Sequence, residues 1–298
     1  MRQRIVFLAM VLILGAAVFA QSPAPVAQQA PPLVTEVQNM FNALKVIWKT
    51  IKDLWEDMLL LVLMNGLTFV CGIPLFGAIV VPFYMGISSG SLTILIPSLL
   101  IALVVAIPAS IPYAGAWFAL NAVCNRVANG FAISWDFYFA NFKQYIWKAW
   151  RYMIFSNSIS ILIIVNFLWY PQAFRDQVWV PWVMGAWLAA GLFWTAIQFY
   201  VIPFFIEQED KSWRVALKNA ALVAGANPLF TLVLLVLAVA LLALSVAVIP
   251  PLFVLLGLVV WAMISTQAVV NRVAFYRVKL EAEQNKKQPK PKRDSYTR

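Results

Sequence analysis

The chain has 298 residues, of which 63% are apolar and only 11% charged, with a formal net charge of +10. Soluble domains run at about 45–50% apolar and about 25% charged, so this balance excludes a soluble globular fold and makes a lipid bilayer the solvent. Histidine is absent and the two cysteines, Cys71 and Cys124, sit apart in apolar stretches, which excludes His-based acid/base chemistry, His-containing metal sites and a disulfide framework.

In chain order, Arg2 and Arg4 precede an apolar run from Ile5 to Ala20, and a Gln- and Pro-rich stretch follows (Pro23, Pro25, Pro31, Pro32). Residues 1–34 read either as a secretory signal peptide, with Val18 and Ala20 small enough to flank a cleavage site, or as a first transmembrane segment, each followed by a linker. Over residues 37–58, Val37, Phe41, Leu44, Ile47, Trp48, Ile51, Leu54, Trp55 and Met58 recur at helical spacing. Lys45, Lys49, Lys52, Asp53 and Glu56 take the other face, the pattern of a helix lying in the membrane interface.

Six stretches long enough to cross a bilayer come next, at about 58–85, 92–112, 152–170, 179–206, 227–248 and 251–275. The second either stops near Pro112 or runs on to about Val127 as a kinked or re-entrant continuation, with Pro97, Pro108 and Pro112 inside it. Two further amphipathic segments are expected at 134–151, with Trp135, Tyr138, Phe139, Phe142, Ile146 and Trp150, and at 212–225, around Trp213 and Leu217. Pro250-Pro251 makes a helical hairpin of the last two spans. The expected fold class is therefore all-α, a polytopic transmembrane helix bundle of about six core spans plus amphipathic interfacial helices. The membrane domain covers 35–279, and a disordered basic tail follows over 280–298.

Lys and Arg collect on the cytoplasmic side of a membrane protein. With six spans, all but three of the 22 fall on one face; the three are Arg175 on the opposite face and Arg2 and Arg4 in the leader. This puts the C-terminus in the cytoplasm. An exported and cleaved leader conflicts with that arrangement, unless residues 1–20 form a further span or residues 58–127 cross three times. The tail, with Lys286, Lys287, Lys290, Lys292 and Arg293, attracts anionic lipid rather than nucleic acid, since lipid is already at hand.

Ionisable groups inside a membrane are functional candidates, but the spans hold amides and hydroxyls instead. Asn65, Asn157, Asn166, Gln198 and Gln267 form the candidate polar interior. Such amides either hydrogen-bond between helices or line a path for a neutral, hydroxyl-rich solute. A cavity lined by Asn157, Asn166, Gln198 and Gln267 favours transport, and a solidly packed bundle favours an accessory role. Arg126 and Arg272 lie near span ends, where they snorkel as interfacial anchors, with Trp135 in the aromatic belt. Residues 122–128 and 268–274 are identical at six of seven positions, and Ser134-Trp135 echoes Ser212-Trp213. Repetition of a helical hairpin explains this, and so do the shared demands of a helix exit. Catalytic residues, cofactors and metals are not expected.

Several of these features, taken together, resemble the YesL-like family of bacterial membrane proteins, known as domain of unknown function 624. The resemblance rests on Asn65 after a Trp-containing lead and on Pro112, Ala114, Gly115 and Ala119 before Asn125-Arg126 and Gly130. It continues through Trp135, Phe139, Asn141, Phe142 and Lys143, then Tyr170, Tyr200, Pro203 and Asn227-Pro228. It covers roughly residues 40–275, and the extra apolar sequence at about 73–110 departs from it. The family has no established activity, and the resemblance allows a link to carbohydrate uptake systems; the expected function is that of a non-enzymatic protein of a bacterial plasma membrane, an accessory or assembly component of a solute uptake system with transporter subunits as partners. The alternative is a transporter of a neutral solute in its own right.

Sidedness is directly testable. A reporter active only in the cytoplasm is expected to be active when fused after Arg298 and silent at Arg175. The reverse result at both sites contradicts the charge argument.

Overall fold

In hydrocarbon a backbone N–H or C=O finds no water, so an uncharged apolar run must satisfy its own hydrogen bonds as a helix. The computed structural model describes residues 34–90, 92–248 and 250–287, and among them every element is an α-helix. In order these are α1 (Val34–Glu56), α2 (Met58–Ser88), α3 (Leu92–Ala128), α4 (Trp135–Ala173), α5 (Val180–Glu207), α6 (Trp213–Ala226), α7 (Pro228–Val248) and α8 (Pro250–Lys287). Contacts divide the chain after Glu36, and the fold concerns the unit from Val37 onward. The leader and linker expected before Val34, and the tail beyond Lys287, lie outside the described residues.

Five segments are long and apolar enough to cross a membrane: α2, α3 from Leu100, α4, α5, and Leu256–Arg277 of α8. α6 and α7 are bent by 100° at Asn227 and make a sixth when taken together as one broken span. The protein is a multi-pass membrane helix bundle.

Two boundaries differ from the sequence expectation, and one open alternative is decided. The amphipathic segment at 134–151 and the span at 152–170 are one helix, α4, because no Pro or Gly interrupts the chain between Trp135 and Tyr170. At 1.5 Å per residue it is about 58 Å long, well beyond a hydrocarbon core of roughly 30 Å. Of the two alternatives for the stretch at 92–112, the continuation holds: it runs without a break to Ala128 as α3, with Pro97, Pro108 and Pro112 inside it. Beside these interruptions the Ile107 carbonyl accepts from Ser110 Oγ at 2.7 Å and from the Trp150 indole at 3.0 Å. α8 runs to Lys287 rather than ending at 279, since Leu280 to Gln284 are mostly good helix formers and the first breaker is Pro289.

α3 ends at a turn that only glycine makes easily. Gly130 has φ 77°; its N–H reaches the Val127 carbonyl at 2.9 Å, and Phe131 N–H reaches that of Arg126 at 3.0 Å. This is a Schellman closure. Ser134 then accepts from Phe137 N–H at 3.3 Å and starts α4.

α3 packs against α2, α4, α5 and α8. Ala114, Phe118 and Ala122 join one core cluster with Tyr152, Phe199, Phe205 and Phe230, while Leu120, Val123 and Cys124 join another with Leu61, Met64, Tyr138 and Met263. A Cβ added at Gly115 would lie 3.1 Å from both Ile146 and Phe142, so a glycine lets α4 approach there. The buried residues concentrate where α3 ends and α4 begins. The far halves of α2, α3 and α4 turn Val80, Tyr84, Ile101, Val104, Ile164 and Leu168 outward, as a lipid-facing surface does. On α1 the small residues Ala43, Val46 and Thr50 are buried, while Trp48 and Trp55 are 73% and 74% exposed.

Asn65 joins α2 to α8. Its Nδ2 donates to the Val254 carbonyl at 2.6 Å, and its Oδ1 accepts from Val259 N–H at 2.9 Å. With interhelical hydrogen bonds averaging about 0.6 kcal/mol and reaching about 1.7, Asn65→Ala is expected to destabilise the bundle by about 1–2 kcal/mol. Thermal unfolding in detergent measures it, and an unchanged midpoint contradicts the role.

Candidate functional site: a polar cavity among apolar helices

Between α3, α4, α5 and α8 lies a cavity of about 360 Å³, reached also by Leu75 of α2. Tyr113, Trp117, Phe118, Phe199 and Trp261 supply aromatic surface, while Asn121, Tyr152, Ser156, Asn157, Ser160, Gln198 and Ser265 supply polar groups. No lining residue carries a formal charge. Gln198 sits about 13 Å along α5 from Glu207, near the middle of a core roughly 30 Å thick.

The centre of the site is the Gln198 carboxamide. Its Oε1 accepts from Tyr152 Oη and from Ser156 Oγ, each at 2.7 Å. Its Nε2 is buried with no hydrogen-bond partner. One turn further along α4, Ser160 Oγ donates to the Ser156 carbonyl at 3.1 Å and accepts from the Trp194 indole at 3.0 Å. Asn121 is 1% exposed and donates to the Trp117 carbonyl in its own helix at 2.8 Å. The arrangement offers donors, acceptors and ring surface to an uncharged guest.

Of the expected polar interior, Asn157 and Gln198 line this cavity and the other three do not. Asn65 is spent on α8. Asn166 donates to the Leu162 carbonyl of its own helix at 2.7 Å. Gln267 is 2% exposed and donates from Nε2 to the Asp53 carboxylate, tying α8 to α1. Asp53 was expected on the polar face of α1; it turns inward instead. Burial pushes its carboxyl above the usual carboxylate value, with Lys49 opposing and Glu56 adding to the shift.

The arginines differ from each other. Arg126 is half-buried; its Nε donates to the Ala132 carbonyl at 2.6 Å and its guanidinium sits 4.6 Å over the Phe137 ring. That position suits an interfacial anchor. Arg272 does not snorkel as expected. It is 3% exposed, with its guanidinium 3.8 Å over the Phe230 ring of α7. A planar, weakly hydrated cation stacks on a ring more readily than it reaches water from there. Trp135 is exposed and stacks on Phe139, a place that fits the aromatic belt. The two copies of the repeated heptad share the guanidinium on a ring, but Asn125 donates to Glu207 at 2.8 Å while Asn271 is exposed. Likewise Ser134 caps its helix and Ser212 makes no side-chain cap bond.

In the sequence, residues 152 and 156 fall within the expected span 152–170, and neither Tyr152 nor Ser156 was singled out there. The available signal was spacing: Tyr152, Ser156 and Ser160 recur every fourth residue, which puts three hydroxyls on one stripe of α4. Among the described residues no three His, Cys, Asp or Glu side chains come together as a metal ion would need.

The contrast between the arginines gives a test. Arg272→Lys keeps the charge but loses the planar stack, and is expected to cost about 1–2 kcal/mol and lower folded yield in detergent, while Arg126→Lys leaves yield unchanged. Equal yields for both variants contradict the stacked role of Arg272. In comparisons with family models, curated proteins and solved structures the chain matches none, so the reading of this site rests on its own geometry.

Proposed function

We propose that the protein carries an uncharged polar solute across the membrane and holds it in the cavity around Gln198. One observation supports this above the others: a buried amide donor, Nε2 of Gln198, has no partner in the wall of a cavity of about 360 Å³. An unmet buried donor costs about 1–3 kcal/mol, and a turn of the Gln198 side chain that brings Nε2 to the cavity lets an oxygen of the solute relieve that. The uncharged lining disfavours an ion, which would be left unpaired in a low-dielectric interior. Rings beside amides suit a molecule with both hydroxyls and apolar faces. In the same reading the basic face and the C-terminus are cytoplasmic, as the distribution of Lys and Arg requires, and the membrane is a bacterial plasma membrane. The reaction class is transport, with no catalytic step.

A second reading keeps the protein as an accessory or assembly partner of a solute uptake complex. It is favoured by the outward apolar halves of α2 and α3, which offer surface to transporter subunits as well as to lipid. The YesL-like resemblance points the same way.

Uptake of a panel of uncharged polyols and sugars into proteoliposomes separates the two. Transport predicts uptake of at least one member, and a loss of about tenfold or more with Gln198→Leu at unchanged folded yield, since a buried donor–acceptor group is then missing from the site. Uptake unaffected by Gln198→Leu contradicts the site, and no uptake of any member overturns transport in favour of the accessory role.

A further inference from the structure

The cavity is closed on one side by aromatic rings. Trp213, the first residue of α6, lies between two of them. Its ring centroid is 3.8 Å from that of Phe205 and 4.1 Å from that of Tyr152, with interplanar angles of 11° in both cases. Ring pairs usually sit about 4.5–7 Å apart, so this is a tight clamp. Phe118 meets Trp213, Tyr152 and Phe205 edge-on, at 5.3, 6.3 and 6.0 Å. Phe118 and Tyr152 also line the cavity. Trp213 therefore stands behind that lining, on the face where α5 ends and α7 begins.

The helix that carries Trp213 is short and hinged at both ends. Before it, residues 208–212 are non-helical, and Lys211 has φ 47°, a left-handed conformation rarely adopted by a residue with a side chain. Two hydrogen bonds hold that turn: the Lys211 ammonium donates to the Ile206 carbonyl, and Gln208 Nε2 donates to the Ser212 carbonyl at 2.6 Å. After it, the chain bends by 100° at Asn227. The buried face of α6 is otherwise made of small residues, Ala216, Ala220, Ala221, Val223 and Ala224, with Leu217 partly buried beside them. The large side chains that bind α6 to the core are thus few, Trp213 and Leu217, and of these Trp213 alone lies among the rings.

We infer that α6 is the gate of the cavity on the basic face, with Trp213 as its plug and the Lys211 and Gln208 bonds as its latch. The inference rests on the cavity being a solute site, because a closure matters only if something passes. Swinging α6 about residues 208–212 and Asn227 withdraws the indole from between Tyr152 and Phe205 and exposes Phe118 and Tyr152, hence the polar groups behind them, to the aqueous phase.

Thiol accessibility tests this without any solute. With Cys71 and Cys124 replaced by Ala, Ser156→Cys leaves a single thiol in the cavity wall. A membrane-impermeant maleimide offered from the basic face is expected to label it slowly, because reactivity scales with the fraction of open molecules. Adding Trp213→Leu should speed labelling by about tenfold or more, as the open fraction rises. Lys211→Met leaves every ring in place and removes half the latch, so it should speed labelling several-fold; if the Leu variant does not fold, this one decides alone. Fast labelling with the plug intact overturns the closure, and no acceleration by Lys211→Met makes Trp213 a fixed packing residue rather than a gate. Acceleration in a protein that takes up no solute keeps the gated closure and removes the transport reading, whereas uptake without acceleration removes the gate alone.

Discussion

A polar side chain held between apolar helices in a bilayer must find its partner inside the protein. In this bundle such pairs tie helices together through residues remote in sequence. Asn65 joins α2 to α8, and Thr68 meets Tyr138 at 3.0 Å to join α2 to α4. Asn125 and Glu207 join α3 to α5, Gln198 gathers Tyr152 and Ser156 to join α4 to α5, and Tyr200 meets Thr231 at 3.0 Å to join α5 to α7. Gln267 and Asp53 bring α1 onto α8. Apolar packing alone is weakly selective here, since lipid tails are as apolar as Leu. The polar pairs add selectivity to it.

These pairs are not spread evenly along the helices. They lie toward the face that carries the helix exits, and the buried core lies with them. Toward the other face α2, α3 and α4 present large apolar side chains outward. The cavity falls at the boundary between these two regimes, beside the most densely ringed part of the core. Its polar side is Gln198 with the hydroxyls of α4, and its closed side is the cluster of Phe118, Tyr152, Phe205 and Trp213. In the proposed reading, a group that needs a partner thus lies beside the wall that parts, as binding followed by release requires.

Much of the fold was legible in the sequence because bilayer length and charge asymmetry are coarse properties that survive without knowledge of contacts. The continuity of α4 was legible too, in the lack of any Pro or Gly from Trp135 to Tyr170, although amphipathic and apolar halves suggested two elements. The site was half legible. Amides stand out in an apolar run, so Asn157 and Gln198 were found. Asn166 and Gln267 stand out equally, yet a helix that is apolar all round gives no phase from which to tell which amide faces the cavity. Asp53 and Arg272 show the same gap for charges: Asp53 turns inward because Gln267 of a distant helix meets it, and Arg272 is buried because Phe230 of α7 lies beneath its guanidinium. Trp213 looked like one more interfacial aromatic; its two stacking partners are remote in sequence and only the fold brings them to it.

The central proposal is that the Gln198 carboxamide serves a polar-lined space meant for a hydrogen-bonding guest. A density map of the protein in a lipid nanodisc, at a resolution that shows ordered water, tests this most directly. The expected result is non-protein density in the space between Trp117, Asn157 and Trp261, within hydrogen-bonding distance of the Gln198 carboxamide, at about 2.7–3.2 Å. Side chains packed solidly through that space, or an acyl chain lying against the amide, would contradict it.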